Sequence, residues 1–88
     1  MVNITLLTQP SCAFCDHAKE ILSRLAADFT FNVHEIGLET EEGRNLAIRH
    51  GVMFAPGILL EDKLFSYGRL SEKKLRIQLA KENVKENI

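Results

Sequence analysis

The chain predicts an α/β fold with the element order β-α-β-α-β-β-α. Three patterns carry that expectation: an apolar stripe at helical spacing just after a short apolar strand, an alternating strand before the midpoint, and two apolar runs split by a hydrophilic turn. The first half then forms a βαβ unit with a parallel strand pair. The second half adds an antiparallel hairpin and a covering helix.

Ile4-Thr5-Leu6-Leu7 is short and apolar and reads as a buried strand that stops at Gln9-Pro10-Ser11. From Phe14 to Ala26, the apolar residues Phe14, Ala18, Ile21, Leu22 and Leu25 form one helical stripe, with Asp16, Lys19, Glu20 and Arg24 on the remaining surface. Phe29, Phe31 and Val33 alternate with Thr30, Asn32 and His34, so the phenylalanines and the valine are expected inward and His34 outward. Thr40 is placed to cap a short helix running through Leu46, Ala47 and His50, with Gly51 at its C-terminal cap. Within it, Gly43 is expected to cost about 1 kcal/mol relative to alanine.

Ile58-Leu59-Leu60 and Leu64-Phe65-Ser66-Tyr67 flank the turn Glu61-Asp62-Lys63 as a hairpin. Ser71 caps the last helix, and Leu70 and Leu75 have the spacing of a hydrophobic staple. Leu75 and Leu79 face the core, and Lys81 to Ile88 reads as a fraying polar tail. No linker, repeat or low-complexity stretch divides residues 1–88, so one domain is expected.

Composition excludes several function classes. Eleven basic against twelve acidic side chains give a net charge of −1, with no bias toward phosphate backbones or anionic lipid. No apolar run approaches the roughly 18 residues of a membrane span. The first residues lack a basic region followed by a hydrophobic stretch, so a cytoplasmic location is expected. Neither nucleic acid nor membrane is an expected partner.

Both cysteines fall in one motif, Cys12-Ala13-Phe14-Cys15, at the junction of the first strand and first helix. Residues three apart at a helix start lie within reach of a disulfide. At the helix N-terminus, unpaired N–H groups and the macrodipole favour a Cys12 thiolate, whereas Cys15 is directed back into the protein. Cys12 is thus the candidate attacking sulfur and Cys15 the resolving one. The competing reading is metal carriage: two thiolates suit a soft metal, or half the ligand set of an iron–sulfur cluster. His17, His34 and His50 are the remaining candidates for a zinc site, and their scatter makes one a weak expectation.

Thr8-Gln9-Pro10-Ser11-Cys12-Ala13-Phe14-Cys15, followed by the apolar helix, resembles the active-site segment of glutaredoxins. Met53-Phe54-Ala55-Pro56-Gly57 is similar to the cis-proline segment of the same family. The resemblance covers residues 3 to 80 and implies a thioredoxin-like fold: a four-stranded mixed sheet of order 2-1-3-4 flanked by three helices. It also implies that Pro56 packs beside the reactive thiol and that Ala55 offers backbone groups to the bound substrate.

Two departures bear on glutathione. Gln9 stands where these proteins commonly carry a basic residue. Their Gly-Gly pair and following acid are replaced by Tyr67-Gly68-Arg69-Leu70-Ser71-Glu72, in which Gly68 matches one glycine and Arg69 offers a carboxylate-binding fork. Phe14, between the thiols, is expected at the rim of the site.

Together these readings predict a monomeric thiol–disulfide oxidoreductase of glutaredoxin-like type, serving electron transport to disulfide-containing proteins. Its candidate catalytic residues are Cys12 and Cys15, and its candidate substrate-binding residues are Phe14, Ala55, Pro56, Gly68 and Arg69. No bound cofactor and no metal are expected. Glutathione or a flavin-dependent reductase is the expected electron donor, and a soft-metal or iron–sulfur carrier is the alternative.

Overall fold

A computed structural model describes residues 2–86. The elements are β1 (Val2–Thr8), α1 (Ala13–Leu25), β2 (Phe31–Gly37), α2 (Glu41–His50), β3 (Gly57–Leu60), β4 (Lys63–Tyr67) and α3 (Glu72–Glu86). The sheet order is β2-β1-β3-β4. β1 and β2 are parallel, whereas β3 runs antiparallel to both β1 and β4. This is the thioredoxin-like arrangement that the resemblance implied.

Alternation along β1 sends Val2, Ile4 and Leu6 to one face of the sheet, where they join Ala18, Ile21, Leu22 and Leu25 of α1. Ile58 and Leu60 of β3 and Leu70, Leu75 and Leu79 complete this core, with Phe29, Phe31 and Phe65 partly buried against it. Leu7 and Leu59 are also fully buried, but alternation turns them to the opposite face. There Leu7 and Val52, the residue after the Gly51 cap, both lie close against Gly57.

Capping follows the sequence closely. Thr40 Oγ1 accepts the Gly43 N–H at 3.0 Å, and Gly51 closes α2 at φ 71°. Ser71 Oγ accepts the Lys74 N–H at 3.2 Å at the start of α3. Leu70 and Leu75 are both buried, as a staple requires.

Four details differ from the sequence-based expectation. β2 begins at Phe31 rather than Phe29, because the Phe29 N–H is committed to the Leu25 carbonyl at the exit of α1 (2.9 Å). Val33 is 42% exposed, since β2 is an edge strand with little packed over its centre. The hairpin turn is only Glu61-Asp62, both at positive φ, and Lys63 already pairs with Leu60. Finally, α3 continues to Glu86 through the segment expected to fray, a stretch free of glycine and proline where Gln78 bonds Glu82 one turn on. Residues 87 and 88 lie outside the described chain.

Gly43 also reverses its expectation. A Cβ on Gly43 would overlap the carbonyl oxygen of Gly37, so the glycine lets the first turn of α2 sit directly on the end of β2. Packing, not helix propensity, sets the value of this residue.

Candidate redox site

Cys12 is the N-cap of α1, with extended backbone (φ −117°, ψ 104°). Its Sγ accepts the Cys15 N–H at 3.1 Å, and its carbonyl receives the Asp16 N–H at 3.2 Å. A helix N-terminus thus directs a backbone donor at this sulfur. Cys12 and Cys15 form a disulfide, with Cα atoms 5.2 Å apart. Cys15 is 2% exposed whereas Cys12 is half-buried, so an approaching reactant meets Cys12 first. Ser11, immediately before, is held in the left-handed region at φ 54° and turns the chain from β1 into α1.

The other candidate residues gather at the same end of the sheet. The register pairs Leu7 with Gly57, which sets Pro56 beside the end of β1, where the chain turns toward Cys12. The Ala55–Pro56 peptide bond is cis. Gly57 pairs in turn with Tyr67, and the Gly68 N–H donates to the Pro56 carbonyl at 2.9 Å, which ties the end of β4 to the proline. Ala55 and Pro56 are buried, whereas Phe14, between the two cysteines in sequence, is 51% exposed.

Two clefts flank α1. One, of about 360 Å³, lies between α1 and the β4–α3 connection and is lined by His17, Ile21, Arg69, Leu70, Ser71 and Glu72. The other, of about 340 Å³, opens on the β2 side and includes both cysteines with Thr8, Asp16, Lys19, Glu35 and Glu39 among its lining. There Glu35 Oε2 accepts from Thr8 Oγ1 at 3.2 Å and from Lys19 Nζ at 3.1 Å. In the first cleft, the hydrogen bond from Arg24 holds the Glu72 carboxyl below its ordinary range, and Glu72 raises the Arg24 guanidinium in return.

Sequence reasoning did not find the Thr8–Lys19–Glu35 cluster, because it depends on the parallel register that sets Leu6 against Glu35. It also missed the contact of the Phe54 and Tyr67 rings, 6.1 Å apart. Among the described residues, no group of three or more His, Cys, Asp or Glu side chains is placed to hold a metal ion. Likewise, no helix there is long and apolar enough to cross a membrane.

Comparison with known proteins agrees with this geometry. The chain is 29% identical over 76 residues to a probable thioredoxin of Archaeoglobus fulgidus, spanning 86% of this chain and 84% of that protein. A probable thioredoxin of Methanothermobacter thermautotrophicus is 27% identical over 75 residues, spanning 85% and 88%. Among solved structures, a thioredoxin-like protein from Clostridium perfringens superposes with a TM-score of 0.76 at 18% identity, covering 92% of this chain and 70% of that one. A mutant thioredoxin from Halobacterium salinarum NRC-1 gives 0.69 at 20% identity, covering 91% and 73%. A thioredoxin-like fold with a close cysteine pair at a helix start points to thiol–disulfide redox chemistry. Residues 3–80 match the model of the glutaredoxin-like domain (DUF836), and the chain belongs to that family.

Proposed function

We propose that this protein is a disulfide reductase acting on protein or mixed disulfides through a Cys12/Cys15 cycle. The single observation that carries the reading is the unequal burial of two bonded sulfurs at one helix N-terminus. The Cys12 thiolate attacks one sulfur of the substrate disulfide, forming a mixed disulfide and expelling the other sulfur as a thiolate that takes up a proton. Cys15 loses its proton and attacks Cys12 Sγ, releasing the second substrate thiol and leaving the Cys12–Cys15 disulfide. Two electrons and two protons have then passed to the substrate.

Phe14, Ala55, Pro56, Gly68 and Arg69 form the substrate side of this site. Two thiols, from two glutathione molecules or from the dithiol of a flavin-dependent reductase, reverse the sequence. The first opens the Cys12–Cys15 disulfide to a mixed disulfide at Cys12, and the second attacks its outer sulfur, which restores the dithiol and leaves the reductant as a disulfide. The sulfurs carry the electrons, so the cycle needs no bound cofactor. A monomer fits this reading, because one chain supplies both thiols, and the cytoplasm fits it because a reducing compartment sustains a dithiol.

Replacing Cys15 by serine should leave Cys12 able to attack but unable to resolve. The Cys15→Ser variant is expected to accumulate a covalent adduct with a disulfide substrate, visible by mass spectrometry and released by reductant. The Cys12→Ser variant should form none and lose turnover. Turnover by the wild type with no adduct in Cys15→Ser would overturn the assignment. Supplying NADPH with either glutathione and its reductase or thioredoxin reductase identifies the donor by which one regenerates the dithiol.

A further inference from the structure

We propose that the cleft between α1 and the β4–α3 connection binds an acidic side chain of the protein substrate, so that Arg69 and His17 select disulfides with Asp or Glu nearby. The inference rests on disulfide reduction at Cys12 and adds the chemistry of the preferred partner.

Arg69 is exposed and has no ion-pair partner among the described residues. The cleft has one carboxylate, Glu72, which is already engaged by Arg24 at 2.8 Å and by Arg76 at 4.0 Å. The charge left unmatched in the cleft is therefore positive. Ile21 and Leu70, buried to 1% and 2% exposure, form its apolar floor. A planar guanidinium above such a floor suits a carboxylate with a short aliphatic stem, and the His17 ring adds a further N–H donor.

The cleft also lies on a path from the sulfur. Phe14, His17 and Ile21 are spaced three and four residues apart and share one edge of α1. His17 is five residues beyond Cys12, about 7.5 Å along the helix axis, the span of about two extended residues of a bound peptide. A carboxylate two or three positions from the attacked cysteine is therefore carried to His17, at the cleft that Arg69 also lines. The opposite cleft has the opposite character: Asp16, Glu35 and Glu39 line it, and its Lys19 is held by Glu35 at 3.1 Å. An acidic residue is attracted on one flank of α1 and repelled on the other, which fixes the direction of the substrate chain. The exposed apolar side chains Phe14, Met53, Phe54 and Tyr67 favour a polypeptide over a small thiol as the occupant.

The test uses peptide disulfides with Glu, Gln or Lys two residues before or two residues after the reactive cysteine, reduced by the intact protein at low and high salt. At one of the two positions, kcat/KM for the Glu peptide should exceed that for the Lys peptide about fivefold at low salt, with Gln between. The gap should close at high salt. Arg69→Gln should shrink the gap and Arg69→Glu should reverse the order. Equal rates for the three peptides, an equal preference at both positions, or an unchanged order in Arg69→Glu would overturn the inference while leaving disulfide reduction intact. Reduction of no peptide at all would remove both.

Discussion

The two faces of the sheet are built in different ways. On the face covered by α1 and α3, a continuous set of aliphatic side chains is almost wholly excluded from water. Charged side chains then stitch the helix edges: Arg24 to Glu72 at 2.8 Å, and Arg76 to Asp28 at 2.9 Å with its guanidinium 5.6 Å from the Phe29 ring centre. On the other face, α2 has one buried residue, Gly43, and leaves Ile48 80% exposed. The first face is held by a large aliphatic area removed from water; the second buries less, chiefly Leu7 and Leu59, and adds close backbone approach and two caps. The candidate site belongs to the first, because α1 delivers both cysteines. Close aliphatic packing is concentrated where the sulfurs must be positioned.

Truncating the aliphatic face should have the largest effect. Leu25→Ala removes a fully buried side chain of α1 and is expected to cost about 3 kcal/mol in urea unfolding. A cost no larger than that of substitutions on α2 would erase the contrast between the faces. Gly43→Ala comes next. Helix propensity alone predicts stabilisation by about 1 kcal/mol, whereas the overlap with the Gly37 carbonyl predicts destabilisation on the order of 2 kcal/mol. The sign of the measured change decides between them. Thr40→Ala, which removes the cap bond to Gly43, should cost about 1 kcal/mol by the same measurement.

A smaller effect is expected from Glu72→Gln, which should alter the acid limb of stability. The folded-state pKa of Glu72 is lowered, chiefly by its hydrogen bond from Arg24. Its contribution is therefore complete above the ordinary value of 4.5 and is lost as pH falls through the lowered one. The variant should differ from wild type at neutral pH and converge with it in acid; a constant offset at every pH would refute the sign. The smallest change is expected from Ile48→Ser, within about 0.5 kcal/mol, because the side chain is already in water.

Features that depend on neighbours within a turn or two of chain were legible in the sequence. The stripe from Phe14 to Leu25, the Thr40 and Gly51 caps of α2, and the Leu70–Leu75 staple of α3 all stand as read, because helix amphipathicity and capping are local. The dithiol motif was legible for the same reason: its spacing alone brings the sulfurs to one turn. Features set by contacts between distant segments were not legible. Val33 follows the inward alternation of its strand, yet it is exposed because of where β2 sits in the sheet. β4 reads as a regular strand, but Ile58 pairs with Ser66 and Leu59 with Leu64, which leaves Phe65 as an extra residue. Of the expected site residues, Pro56, Gly68 and Arg69 came from resemblance, not from any local signal.

The order of elements, the ends of most helices and the pair of sulfurs at the start of α1 are each written in residues a few positions apart. That Glu35 meets Lys19 and Thr8 beside the cysteines, that Gly68 bonds Pro56, and that Arg69 shares a cleft with His17 emerges only when the chain is folded. Those neighbours are fixed by strand register and by which helix covers which face. Both depend on burying the aliphatic core as a whole, so no short window of the chain contains them.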